Sequence, residues 1–139
     1  MGPRGLAGMA RDTLRGSWAE MRMAFSLFAR PESWPLLVHC TQGKDRTGLL
    51  VLLLCRLVGV PVEACERDYR LSQGELESGR DERLEESRRY GLPEAFVDCE
   101  EGWVESVVQY VDREWGGVEQ YLLWCGVTED QNNERRQAF

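Results

Sequence analysis

One stretch limits what this chain can become more than any other. Leu36-Leu37-Val38 is a short apolar run straight after Pro35. It leads through His39 into Cys40-Thr41-Gln42-Gly43-Lys44-Asp45-Arg46-Thr47-Gly48 and then into the apolar segment 48–55. The apolar run reads as a buried strand with His39 and Cys40 at its C-terminal end. The segment from about Arg46 to Val58 reads as a helix that is apolar nearly all round, and therefore as the central buried helix. A loop that passes from a strand end into a helix N-terminus turns its backbone N–H groups and the positive end of the helix dipole toward one point, which suits an anion. Gly43 supplies the positive φ that such a loop needs.

The rest of the chain reads as helices. Leu14, Trp18, Met21, Phe25 and Phe28 are spaced 4, 3, 4 and 3, which predicts one amphipathic helix from about Asp12 to Ala29, stopped by Pro31 and Pro35. Residues 1–10, rich in Gly and opening with Pro3, are expected to be flexible. Further helices are expected over Val62 to Ser72, Asp81 to Arg89, a segment marked by Val104, Val108, Val111 and Trp115, and Val118 to Cys125. Gly59, Gly91, Gly116-Gly117 and Gly126 end helices, and Pro61 starts one. Thr128-Glu129-Asp130-Gln131 is a capping box that opens a final helix. One strand among about seven helices cannot satisfy its own backbone groups.

Cys-x5-Arg-Thr carries a specific chemistry. Five residues between Cys40 and Arg46 let the loop curl round one phosphate. A free thiol has a pKa of about 8.5, and a helix N-terminus with nearby cations lowers it to roughly 3.5–7.5. Cys40 is thus a candidate nucleophile that would form a cysteinyl-phosphate. Arg46 can grip two phosphate oxygens in a bidentate fork, which lysine cannot, and stabilise transition-state charge. Thr47 can donate its hydroxyl to the Cys40 sulfur. Asp45, inside the loop, is the best candidate for the acid that protonates the leaving group. Lys44 is expected to add a second cation at the pocket mouth. Thr41, Gln42, Gly43, Lys44 and Thr47 form the substrate-binding set, and His39 and Gly48 support the loop.

Other chemistries fit less well. A nucleotide-binding phosphate loop needs Ser or Thr after Gly43-Lys44 and Gly where Val38 stands. Sulfur transfer or arsenate reduction can use a similar Cys loop, but the Arg46-Thr47 end and the apolar helix favour phosphate esters. The chain has 139 residues, a net charge of −7, five Cys and a single His. The acidic balance does not suggest nucleic-acid binding. One His and no paired Cys spacing leave no zinc site, and no cofactor or metal is expected. The longest apolar run is too short to span a bilayer, so stable membrane insertion is not expected. An odd count of cysteines without framework spacing suits free thiols in the cytoplasm. Cys55 and Cys65 could act as resolving thiols, but core packing is the better reading. The tryptophans at 103, 115 and 124 are expected to pack the C-terminal helices. The charged stretch 75–89 is read as a solvated helix rather than a lid.

The run His39 to Gly48 resembles the loop of protein-tyrosine and dual-specificity phosphatases. Its Gly-Lys-Asp-Arg-Thr-Gly core is similar to the atypical bacterial and fungal tyrosine phosphatases. Asp68-Tyr69-Arg70-Leu71-Ser72, Gly116 to Leu122 and Gly126-Val127-Thr128 fit that group too, so the resemblance covers most of the chain from about Leu14 onward. It implies an α/β tyrosine-phosphatase fold, here one partial domain over 1–139 and mostly helical because strands that precede the loop in the family are missing. It implies metal-independent hydrolysis of phosphotyrosine proteins, or of phosphoinositides in some members. It assigns Cys40 as nucleophile, Arg46 as phosphate ligand and Asp45 as the proposed acid. The alternative is an impaired remnant that binds phosphorylated ligands or has no function. The physiological substrate and the oligomeric state are not legible.

Overall fold

A computed structural model describes residues 5–131. Seven α-helices are laid out along it: α1 (Gly5–Gly16), α2 (Trp18–Phe28), α3 (Asp45–Leu57), α4 (Val62–Leu76), α5 (Arg80–Arg89), α6 (Trp103–Trp115) and α7 (Val118–Trp124). Short 3-10 turns cover Pro31–Ser33, Glu77–Gly79 and Glu94–Phe96. Helix α3 packs on α1, α4 and α7, and α6 packs on the same three helices, so this pair organises the core. Among the described residues no helix is long and apolar enough to cross a membrane.

The chain is mostly helical, as expected, but among the described residues there is no strand, so the one strand of the α/β expectation, Leu36 to Val38, is not formed. Leu36 to Cys40 alternates as a strand would. Leu36 and Val38 pack against the core, while Leu37 is 88% exposed. A period of two without a neighbouring chain makes no ladder, so the segment stays irregular. Helix α3 is central, as expected, but not fully enclosed. Leu49, Leu52, Leu53 and Leu57 are buried, whereas Leu50, Leu54 and Cys55 are only partly so.

The N-terminal region departs most from the sequence reading. Residues 5–10, expected to be flexible, already form the first turns of α1, and Leu6, Ala7 and Ala10 lie in the core. Glu100 explains the early start. Its Oε2 accepts the Ala7 N–H at 3.1 Å, placing negative charge at an open helix N-terminus. The single helix expected over 12–29 is two helices. Ser17, after the poor helix former Gly16, has φ −109 and ψ 33 and kinks the chain. The turn swings Trp18 out to 46% exposure, although Met21, Phe25 and Phe28 keep the expected buried face. It also opens the Leu14 carbonyl, which accepts the buried Tyr121 hydroxyl at 2.9 Å and so ties α1 to α7.

The C-terminal half follows the sequence closely. Gly116 at φ +84 ends α6 and Gly126 at φ +92 follows α7. Trp103 is buried, and Trp115 sits among the rings of Tyr110, Tyr121 and Trp124. The capping box closes reciprocally. Gln131 Oε1 accepts the Thr128 N–H at 3.1 Å, and Thr128 Oγ1 accepts the Gln131 N–H at 3.3 Å. The final helix expected after it lies mainly outside the described residues.

Helix α5 has no apolar stripe, and Ser87 is its one buried residue. Polar tethers hold it instead. Arg80 clasps Asp98 through Nε at 2.9 Å and Nη2 at 2.8 Å, and Gln73 donates to the same carboxylate at 3.1 Å. These donors hold the Asp98 carboxyl down at about 2. At the other end Arg88 binds Glu94, and Ser87 Oγ reaches the carbonyls of Leu92 and Pro93. This placement decides what α5 faces.

Candidate active site

The loop owes its shape to Gly43 and to the start of α3. Gly43 has φ +69, a left-handed conformation that suits glycine. No atom lies within 4 Å of where its Cβ would stand, so conformation rather than space requires glycine here. The Lys44 carbonyl accepts the Gly48 N–H at 3.1 Å and begins α3. Gly48 lets the Tyr69 ring lie against the helix, stacked on Trp103 with centroids 4.6 Å apart.

The curled loop aims its donors at the Cys40 sulfur. Burial pushes this thiol up. The Thr47 hydroxyl and N–H, with the Gln42 and Gly43 N–H groups, outweigh it and bring the pKa down from 9.0 to about 7. Thr47 Oγ1 is itself buried and makes no other hydrogen bond, so nothing draws it away from the sulfur. The four other cysteines, also free, are all pushed up by burial. Cys55 and Cys65 do not line the Cys40 cleft, which agrees with core packing rather than a resolving role.

Cys40 opens into a cleft of about 300 Å³ together with Thr41, Gln42, Asp45 and Arg46. Arg46 is exposed, and its Nη2 donates to Thr41 Oγ1 at 3.3 Å. Among the described residues no carboxylate claims Arg46, so most of its fork is open to a ligand. Gln42 Oε1 is buried and unpartnered. The exposed His39 ring has Nδ1 3.4 Å from the Cys40 carbonyl oxygen, a long contact for a supporting bond.

Lys44 is not where the sequence placed it. Its side chain is fully buried rather than at the pocket mouth, and it does not line the Cys40 cleft. Nζ donates to Asp45 Oδ1 at 2.6 Å and to the Phe96 carbonyl at 3.2 Å. The reason is electrostatic: a buried ammonium needs a charged partner and acceptors, and both stand behind the loop. Lys44 therefore positions Asp45, holding one oxygen and leaving Oδ2 for other contacts.

The sequence also missed the opposite wall. Arg83, Glu86, Ser87 and Tyr90 of α5 and the turn after it line the same cleft, with Leu92, Phe96 and Val97 below them. Their spacing of 3, 1 and 3 is one helical face, but a polar face carries no hydrophobic signal to announce it.

Only a thiolate is alkylated readily, so the sulfur's setting is open to measurement. Iodoacetamide modification of Cys40 should rise with pH and reach half its plateau near pH 7. Thr47→Ala removes one donor and should move that midpoint up by about one unit. Peptide mass spectrometry over a pH series checks both. A midpoint near 9.0 in the unmodified chain contradicts this account of the site.

Residues 2–139 match the sequence profile of the tyrosine phosphatase family. A tyrosine-protein phosphatase of Nostoc commune is 30% identical over 125 residues, which cover 83% of this chain and 42% of that protein. A provisionally named tyrosine-protein phosphatase of Cupriavidus necator is 30% identical over 107 residues, 73% of this chain and 39% of its own length. The chain thus spans about two fifths of the length of these relatives.

Proposed function

Because this chain belongs to the tyrosine phosphatase family, we propose that it hydrolyses phosphate monoesters, foremost phosphotyrosine in proteins, through a cysteinyl-phosphate on Cys40. The observation that carries the reading is the Cys40 sulfur, drawn to a pKa of about 7 by loop donors at the start of α3 and open to a cleft. At neutral pH about half of such a sulfur is thiolate, without a metal.

The steps follow from the residues. The Cys40 thiolate attacks phosphorus, and the bond from phosphorus to the leaving oxygen breaks. Arg46 and the loop N–H groups bind the equatorial oxygens, where charge develops. Asp45 donates a proton to the leaving phenolate. Water then attacks the phosphocysteine, Asp45 takes a proton from it, and the thiolate departs toward the Thr47 hydroxyl. Lys44 keeps Asp45 in place throughout. His39 and Gly48 support the loop. The five free thiols fit a cytoplasmic setting, which we assign to the reaction. The apolar and aromatic lining of the cleft, Met9, Phe96 and Tyr90 among it, suits an aryl phosphate better than an inositol ring.

A second reading has one observation in its favour. Leu37 is 88% exposed on a segment that no strand among the described residues holds, and a catalytic constellation tolerates only about 0.5 Å of error. On that reading the chain binds phosphorylated ligands and turns them over poorly. Release of p-nitrophenol from p-nitrophenyl phosphate by the purified chain, with chelator present, separates the two. Turnover many-fold above buffer is expected, and none at all would sink the first reading.

A further inference from the structure

The cleft has a second cation that the reaction does not use. Arg83 stands on the α5 wall facing the loop. Its Nη2 donates to the Leu76 carbonyl, which fixes the side chain, yet its Nε is buried without a partner. Among the described residues no ion pair is made by Arg83. The donors it has left face no carboxylate among the described residues and can serve an anion that enters the cleft. We propose that Arg83 is a specificity-determining residue that takes a carboxylate of an acidic residue flanking the phosphotyrosine of a protein substrate.

The proposal rests on the phosphatase reading of the same cleft and adds to it. Arg46, on the loop side, is committed to the phosphoryl group, and Lys44 is turned away on Asp45. Arg83 is therefore the cation left for a second negative group. The cleft is large enough, at about 300 Å³, for a phenyl ring and part of a neighbouring side chain. Phe96, Leu92 and Tyr90 offer the ring apolar contact, so the flanking chain passes along α5. Glu86 follows one turn later on the same helical face. It repels a carboxylate, so the two ends of the stripe have opposite effects on an acidic neighbour. The polar tethers of α5, Arg80 on Asp98 and Arg88 on Glu94, fix this wall relative to the loop.

The test is a binding ratio, measured on Cys40→Ser protein so that no peptide is consumed. Two fluorescent phosphotyrosine peptides are compared by anisotropy, one with Glu beside the phosphotyrosine and one with Gln there. The acidic peptide is expected to bind about 5–10-fold tighter, the difference shrinking with added salt. Arg83→Gln in that background should bring the ratio to about one, Arg83→Lys should keep part of it, and Glu86→Gln should raise it. The two neutralising substitutions must move the ratio in opposite directions, which a general loosening of α5 would not do. A ratio near one before Arg83 is changed, or one that Arg83→Gln leaves intact, overturns the proposal. Turnover of p-nitrophenyl phosphate by unmodified protein is read alongside. If turnover is absent but the ratio behaves as described, the phosphatase reading falls and the subsite stands.

Discussion

Replacing Cys40 with Ser is expected to cut turnover of an aryl phosphate by at least about 10³–10⁴-fold, or roughly 4–6 kcal/mol of barrier, while leaving ligand binding and the fold in place. The thiol at a pKa of about 7 is about half ionised at neutral pH. A serine hydroxyl in the same spot is not, and no histidine lines the cleft to take its proton. The substitution changes one atom of a half-buried side chain, so stability should shift little. The Gln42, Gly43 and Thr47 N–H groups and Arg46 remain to hold a phosphoryl group. The expected pattern is therefore lost turnover with phosphopeptide affinity kept within a few-fold. Progress curves with p-nitrophenyl phosphate and titration of a phosphopeptide measure the two halves separately. Retained turnover would show that the sulfur is not the nucleophile.

Arg46→Lys is expected to be the next most damaging change, lowering kcat/KM by about 10²–10³-fold although the charge is kept. An ammonium presents a point charge, whereas the guanidinium reaches two equatorial oxygens in one plane. Part of the loss falls on kcat, because the equatorial oxygens gain charge as the bond to the leaving group breaks. The fold should not notice. Arg46 is exposed, and its one hydrogen bond among the described residues is the 3.3 Å contact to Thr41, so the unfolding temperature should stay within about a degree or two. A fall in activity with unchanged melting separates a ligand of the phosphoryl group from a structural residue. If Arg46→Lys costs less than about fivefold, the fork is not the phosphate ligand.

These expectations rest on residues that the chain itself displays in order. The shape of the loop from Cys40 to Thr47 was legible because it is local: one loop, one helix start, and donors within seven residues of the sulfur. Helices α3, α6 and α7 were legible for a similar reason, since their apolar spacing and their terminating glycines sit within each segment, whereas α4, with no glycine to end it, runs past Ser72 to Leu76. What stayed hidden depends on groups far apart in sequence. The early start of α1 needs Glu100, ninety-three residues from Ala7. The burial of Lys44 needs the Phe96 carbonyl, fifty-two residues on. The role of α5 needs Asp98 and Glu94 to place a helix with no apolar face, and only that placement turns Arg83 toward the cleft. The kink at Ser17 was local, but Gly16 and Ser17 are tolerated inside many helices, and the apolar spacing ran straight through them.

The missing ladder is of another kind. Leu36 to Cys40 keeps the inward and outward alternation of a strand, with Leu37 on the outer side, although nothing among the described residues pairs with it. Periodicity reports which faces a segment can bury, and pairing requires a second segment to be present. The loop that follows therefore takes its order from α3, from the Lys44–Asp45 pair and from the bond between the Phe96 carbonyl and Lys44.

The central claim is a covalent one, and trapping the intermediate tests it most directly. The unmodified chain is mixed with an aryl phosphate, quenched in denaturant during turnover, digested and mapped by mass spectrometry. The account predicts one added phosphoryl group on the peptide that carries Cys40, absent when Cys40 is Ser. Steady turnover with no phosphorylated Cys40, or with the phosphoryl group on another residue, would contradict it.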